Sequence, residues 1–472
     1  MNNKKLWIER LQQIDGEMLI KKISMNGQDI FLAYLPLLTN KKMISEYIIK
    51  PILNEKNEKV DIQKLLESIL YIDDAFLDED MDKLENYILK GYSIIFCSHC
   101  KNYIVANTKK TEKRSVSPPE LETTLRAPKD AFTESLETNL SLIRSRIKDK
   151  SLKMDFYCIG TRTQTDVVMM YMEDIANEEF VEEVKEKLSK IHIDGILESG
   201  YIQKILLDNT FDLFPQTGIA ERSDTVCANI LEGKIAIFVE GSNLALIVPK
   251  IFIEFLDAGE DHYDNLYLGI FSKVLRIFSL FSSLLLSSLY VAVVSFHTDI
   301  LPPQFILALA TSRTAVPFNS IIEAVLMELV VEILREASIR LPKQVGPAIG
   351  IVGAIVIGQA AVAAGVISPL IVIIVSLAML CSFVAPDYTI MSPFRILKFM
   401  IIFFTGILGL FGLVMGITLI VIHLSSLTTL GIPYLSVLSP FHREDLKKYF
   451  LSEITLAKKR PSFLRTKNPI RK

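Results

Sequence analysis

Between Gln344 and Pro386 the chain runs for 43 residues without a charged side chain. A water-soluble domain would have to bury every face of such a segment, whereas a bilayer accepts it directly, because a spanning helix needs about 20 consecutive apolar residues. The run reads as two spans, 345–366 and 369–386, broken near Ser368-Pro369. Similar runs lie on either side, at 277–296 (IFSLFSSLLLSSLYVAVVSF) and 399–422 (FMIIFFTGILGLFGLVMGITLIVI), giving four spans within a membrane domain over 266–440. Charge is dense up to Arg276, so the overall 50% hydrophobic and 22% charged composition averages two unlike halves. The first 25 residues are charged throughout and have no apolar core of a secretory signal, so a large soluble region is expected ahead of the first span.

Basic residues set the expected orientation. The tail 441–472 carries ten Lys or Arg against three Asp or Glu, and Lys273 and Arg276 precede the first span, which places both chain ends on the cytoplasmic side. The tail's surplus of positive charge also suits it to anionic lipid. The rest of the chain is acidic and offers no basic nucleic-acid face.

Within the long uncharged run, GPAIGIVGAIVIGQAAVAAG (346–365) holds five glycines and six alanines. The glycine spacing matches neither G-x-G-x-x-G nor G-x-x-x-x-G-K-[ST], which argues against a phosphate loop. Gly346, Gly350, Ala354 and Gly358 instead recur every fourth residue and stack on one helix face, the kind of surface that lets a second backbone approach closely in lipid.

The soluble half contains a duplication. ILKGYSIIF (88–96) and ILEGKIAIF (230–238) share Ile, Leu, Gly, Ile and Phe at the same spacing, and DIFLAYLPLLTN (29–40) lays onto DVVMMYMEDIAN (166–177) through Asp29/Asp166, Tyr34/Tyr171 and Asn40/Asn177. Two related α/β subdomains follow, over 1–112 and 151–265, each running strand, Asn-capped helix, further helix and hairpin. Between them, 113–150 reads as a charged linker and then, from Phe132, a connecting helix that packs the two subdomains or couples them to movement in the membrane half. The pair in CSHC (97–100) suggests zinc or thiol exchange. A structural zinc needs four ligands and no second pair exists, and the duplicate has VEGS (239–242) there, so a hairpin turn with incidental cysteines is favoured. A cytosolic location keeps all five cysteines reduced.

Segment 317–340 (PFNSIIEAVLMELVVEILREASIR) is apolar but not clean. Ile322, Val325, Leu329 and Ile333 form one stripe, and Glu328, Glu332 and Glu336 lie four apart on another, with Arg335 and Arg340 near. Carboxylates at the bilayer centre cost several kcal/mol, which favours an interfacial or re-entrant amphipathic helix. The alternative is a row facing a water-filled vestibule, repeated in each subunit of an oligomer as acidic rings that favour cations. No catalytic constellation is found: the histidines are isolated, and H-E-x-x-H and G-x-S-x-G are absent, so neither an enzyme nor a cofactor or metal site is expected.

Several segments together carry a family likeness: RSVSPPELETTLRAPKDAFTESLETNLSLIRSRI (114–147), FPQTGIAERSD (214–224), LEGKIAIFVEGSNLALIVP (231–249), EDHY (260–263) and LREASIRLPKQVGPAIGIVGAIVIGQAAVAAGVISP (334–369). On these the chain resembles the A subunit of the GerA family of spore germination receptors over nearly its full length. Ala127 and Ser223 depart from the family pattern, standing where it has Gly and Pro. The resemblance implies an α+β cytoplasmic region of two related subdomains followed by an α-helical polytopic membrane domain. It also implies an inner spore-membrane location and work with a B subunit, a multispan nutrient-sensing protein, and a C subunit, a lipoprotein. Family members are thought to oligomerise into a ring enclosing a cation path that opens when nutrient binds. On that reading Gly346, Gly350, Ala354 and Gly358 pack between copies, while Ile357, Gln359 or Val362 faces the pore. A membrane-anchored scaffold without a pore is the alternative. A small-solute transporter fits less well, because the duplication lies in the soluble half rather than among the spans.

Overall fold

The structure is a computed structural model that describes residues 18–25, 28–55, 61–97, 100, 102–110, 119, 122, 128–207, 209, 211–263, 265–340, 358–451 and 459–471. Gly346, Gly350, Ala354 and Ile357, with most of the expected span 345–366 and most of the linker that precedes Phe132 in 113–150, lie outside the described residues. The chain divides into two compact units. One takes the described residues of 1–210, 217–249 and 458–472, the other those of 211–216 and 250–457.

The first unit holds two antiparallel five-stranded sheets. One is built from β1 (Leu19–Met25), β2 (Gln28–Tyr34), β3 (Ala75–Asp78), β4 (Tyr92–Cys97) and β5 (Tyr103–Asn107) in the order β1-β2-β4-β5-β3. The other repeats that order with β6 (Leu152–Ile159), β7 (Thr165–Met172), β8 (Gly218–Ala220), β9 (Ile235–Val239) and β10 (Ala245–Val248), arranged β6-β7-β9-β10-β8. The duplicated residues hold equivalent places for physical reasons. Asn40 and Asn177 both cap helices, accepting the Lys42 N–H at 3.0 Å and the Glu179 N–H at 2.9 Å. Gly91 and Gly233 follow α1 (Met81–Leu89) and α5 (Ser223–Glu232) at φ +84° and +103°, a left-handed turn that glycine adopts without strain, and each feeds the central strand of its sheet. The shared I-L-x-G pattern is therefore a helix stop followed by a strand start.

Both faces of the first sheet are covered. Ile30, Leu32, Ile95 and Ile104 pack on one side with Ile44, Ile48 and Ile52, and Phe31, Ala33, Ile94 and Phe96 on the other with Leu84 and Ile88. The strands alternate at period two, and because each face is buried they read as near-continuous apolar runs.

Three sequence expectations need correcting in this unit. The connecting helix, α2 (Leu136–Arg146, capped by Ser135), touches the first subdomain through Leu37 and the Lys41–Glu137 ion pair at 3.1 Å, but it is built into the second. Phe132, Leu136, Leu140, Ile143 and Ile147 belong to the core of the second sheet, with the Phe132 and Phe238 rings edge-on at 5.2 Å, so that subdomain begins well before residue 151. The basic tail is not a free lipid-facing strip, because 459–471 docks on the second subdomain. Leu464 is fully buried, Arg460 donates to the Leu231 carbonyl at 2.9 Å, and Lys467 N–H donates to the Ile175 carbonyl at 3.0 Å. Finally, Cys97 and Cys100 are joined as a disulfide at the end of β4 rather than reduced; among the described residues Cys158, Cys227 and Cys381 are free. Ser223, where the family pattern has Pro, is the first residue of α5; it donates to Asp130 and accepts from Arg146 Nε at 2.8 Å, so its hydroxyl ties down a position that proline's ring would otherwise pre-set.

The second unit is mainly helical. Its long members are α6 (Leu266–Phe296), α7 (Pro303–Arg313), α8 (Ser320–Arg340), α9 (Pro369–Ser382), α10 (Tyr388–Leu408) and α11 (Leu410–Ser426), with α12 (Arg443–Leu451) after them. Among the described residues α6 and α10 are long and apolar enough to cross a membrane, and α9 and α11 are shorter apolar helices. The run 399–422 is not one span. Gly409, at φ +64° and ψ −140°, breaks it into α10 and α11, which fold back on each other. A Cβ on Gly412 would lie 2.0 Å from the Phe404 carbonyl oxygen and one on Gly416 3.1 Å from Ile401, so the two backbones meet through a G-x-x-x-G face.

A charge-paired helix in an apolar bundle

Helix α8 turns its polar side inward. Ser320, Glu323, Ala324, Met327, Glu328, Val331 and Arg335 are buried and recur at helical spacing, while Ile322, Val325, Leu329 and Ile333 are exposed. Soluble amphipathic helices do the reverse. The apolar stripe read from the sequence is therefore the outer face.

Each inward carboxylate has its own partners. Glu323, with no exposed surface, accepts from Arg313 at 2.7 Å, from Ser368 Oγ at 2.8 Å and from the Ser368 N–H at 3.2 Å; the Ser368 hydroxyl also meets Tyr290 Oη at 3.1 Å. Glu328 is paired with Lys398 of α10 and accepts from Ser287 Oγ of α6 at 2.5 Å. Glu332 takes both Nε, at 2.8 Å, and Nη2 of Arg395, with Arg335 Nη1 at 3.7 Å; Arg335 Nη2 donates to Ser382 of α9 at 2.7 Å. Burying an ion pair repays its desolvation only when the geometry and the additional hydrogen bonds are good, and Ser287 and Ser368 supply such bonds. Two fully buried hydroxyls in the same bundle, Ser288 Oγ and Thr405 Oγ1, have no hydrogen-bond partner among the described residues.

The three acidic residues singled out in the sequence thus have different surroundings. Glu328 and Glu332 are held by cations of α10, and Glu336 is exposed and, among the described residues, bonded only to Arg340 on its own helix, at 2.6 Å. Of the small-residue and pore candidates, the described ones are Gly358, buried with its Cβ position 3.5 Å from Val372, Gln359, exposed, and Val362, half-buried. Sequence reasoning missed Lys398, Arg395, Ser287 and Ser368, which complete the pairs. The visible signal was a lysine and an arginine three apart at the start of an apolar run.

A second polar cluster fixes the start of α6. Asp261 of the EDHY segment accepts from Arg276, and Lys273 bridges Asp257 at 2.6 Å and the Tyr449 carbonyl at 2.5 Å, with its ammonium 4.4 Å from the Tyr449 ring centre. Burial pushes the Asp257 carboxyl up, but the His262 hydrogen bond at 3.0 Å and the Lys273 charge outweigh it and hold the group below the usual carboxylate range. Among the described residues no cluster of three or more His, Cys, Asp or Glu is placed to hold a metal.

The chain thus joins two like five-stranded sheets to a helical unit in which two helices are long and apolar enough to cross a membrane and the charged side chains of a third are paired inside the bundle. The family model for the Bacillus/Clostridium GerA spore germination protein matches residues 7–463. The chain belongs to the GerA family of spore germination proteins, as an A subunit. It is similar to spore germination protein KA of Bacillus subtilis, 38% identical over 92% of this chain and 80% of that protein, and to GerLA of Bacillus cereus, 35% identical over 96% and 93%. A crystal structure of the N-terminal domain of the A subunit of the Bacillus megaterium spore germinant receptor GerK3 is 29% identical, covering 53% of this chain and 94% of that one at a TM-score of 0.40.

Proposed function

We propose that this chain is the A subunit of a nutrient germinant receptor in the inner membrane of the spore, working with a multispan nutrient-sensing B subunit and a lipoprotein C subunit, and that several copies enclose a cation path which opens when nutrient binds. The chain is not an enzyme on this reading. The observation that carries the channel role is the side-by-side placement of Gly358 and Gln359: the glycine is buried against α9, while the amide next to it stays exposed in a segment otherwise without polar side chains. An uncharged polar group on an apolar helix is economical where water or another copy meets it. Lys398 and Arg395 neutralise Glu328 and Glu332 within the chain, and Glu336, the exposed one of the three, is paired with Arg340, so an acidic ring would need that surface pair to open.

The docked tail supports a shared side for both ends of the chain. Residues 459–471 pack with the sheets that precede the first apolar helix, so the membrane segments between them enter and leave on one side, which we take as the spore core. The test is genetic and biochemical. Spores lacking the chain should lose a nutrient response that the intact gene restores, and the tagged chain should bring B and C subunits with it from detergent-solubilised spore membranes. Unchanged germination on every nutrient, or recovery of the chain alone, contradicts the proposal.

A further inference from the structure

We infer that α8, Ser320–Arg340, crosses the bilayer beside α6 and faces lipid hydrocarbon with the stripe Ile322, Val325, Leu329 and Ile333; the inference rests on the reading that α6 spans the membrane. Hydropathy hides this span, because α8 carries Glu323, Glu328, Glu332, Arg335, Glu336 and Arg340. The geometry reveals it. Ser287 of α6 donates to Glu328, and Ser295, eight residues on, shares a hydrogen bond with Ser320, eight residues back. The two helices therefore run antiparallel at the same depth, and α8 lies alongside the uncharged part of α6. The pairing with α10 tells the same story: Gly406 sits against Ile321, Lys398 against Glu328 and Arg395 against Glu332.

A helix held at that depth by two membrane-length neighbours lies in the membrane if they do. Its 21 residues extend about 31 Å, against a hydrocarbon thickness of about 30 Å. Glu323, Glu328, Glu332 and Arg335 are turned into the protein and paired, the exposed Glu336–Arg340 pair lies in the last turn of the helix, and the outward stripe, 37% to 59% exposed at Val325, Leu329 and Ile333, presents aliphatic carbon alone. Leu289 of α6 and Phe403 of α10 are likewise exposed apolar side chains. Arg313 before the helix and Arg340 at its end are placed near the two interfaces.

The test uses the full chain in sealed native-membrane vesicles of both orientations, with single cysteines labelled by a membrane-impermeant anionic maleimide in a background whose own cysteines are replaced. Val325→Cys, Leu329→Cys and the control Leu289→Cys on α6 should resist labelling until denaturing detergent is added, and Phe318→Cys and Arg340→Cys should label from opposite sides. Labelling of Val325→Cys and Leu329→Cys in intact vesicles, with Leu289→Cys still protected, would place α8 in water or at the interface. Labelling of Phe318→Cys and Arg340→Cys from one side alone would make it re-entrant; either result overturns the inference. Labelling of Leu289→Cys as well would remove the spanning role of α6, and with it the membrane reading beneath.

Discussion

Lys398 and Glu328, 70 residues apart in sequence, meet as an ion pair inside an apolar bundle, and the Ser287 hydroxyl closes the remaining carboxylate oxygen at 2.5 Å. Three helices are joined at that point. In lipid there is no hydrophobic drive to bring helices together, so such polar ties and close packing set their arrangement.

Removing one partner should therefore be costly. Lys398→Met or Glu328→Leu leaves a buried charge alone, with an expected loss of about 3–5 kcal/mol. The double replacement Glu328→Leu with Lys398→Met should recover most of it. Thermal unfolding of the full chain in mild detergent measures all three, and a double variant no better than the singles would show that the pair does not act as a unit.

The α10–α11 turn gives a graded steric prediction. Gly412→Ala drives a methyl group to within 2.0 Å of the Phe404 carbonyl, a backbone atom, whereas Gly416→Ala meets the Ile401 side chain at 3.1 Å, a contact that a shift of a few tenths of an ångström would relieve. We expect Gly412→Ala to cost about 1–3 kcal/mol or more and Gly416→Ala clearly less. Comparable melting temperatures for the two would contradict the close crossing.

Asp257 sets an acid limit. Its carboxyl is held below the usual range in the folded chain by His262 and Lys273, against the opposing effect of burial, so the unfolded state binds more protons as the pH falls. The stabilisation is complete above the unfolded value of about 3.9 and is lost as pH drops through the lower folded value. Asp257→Asn should lower stability at neutral pH and flatten the acid limb of the stability profile. An unchanged acid limb would show that the carboxylate does not anchor α6.

Ending the chain at residue 458 should destabilise the second sheet subdomain. The fully buried Leu464 alone is worth about 1.5–3 kcal/mol, and the half-exposed Arg471–Glu232 pair adds little. Faster proteolysis of the soluble unit in the truncated chain is the expected readout; equal rates would mean the tail is not part of that fold.

How far the sequence could be read depended on whether the cause was local. The duplicated sheets were legible because Asn40, Asn177, Gly91 and Gly233 act on their own neighbours, as caps and as left-handed helix stops. The long apolar helix α6 was legible from composition. The turn at Gly409 was not, because hydropathy registers a run of apolar residues and not a reversal within it, although Gly412 and Gly416 carried a packing signal. Nor was the inward face of α8: Glu328 looks like a liability until Lys398 and Ser287, on two other helices, are brought beside it. The small-residue face of 346–358 lies largely outside the described residues, while the close helix crossing in the structure lies near residue 412.

Potassium efflux from dormant spores tests the central claim most directly. Val362, half-buried beside the exposed Gln359, would be replaced by alanine in the intact receptor, with insertion and assembly checked by copurification of the partner subunits. If several copies of this chain enclose a gated cation path, Val362→Ala spores should release potassium without nutrient while wild-type spores retain it. Inserted and assembled receptors that neither leak nor change their nutrient response would contradict a pore at this helix and leave the chain as a scaffold.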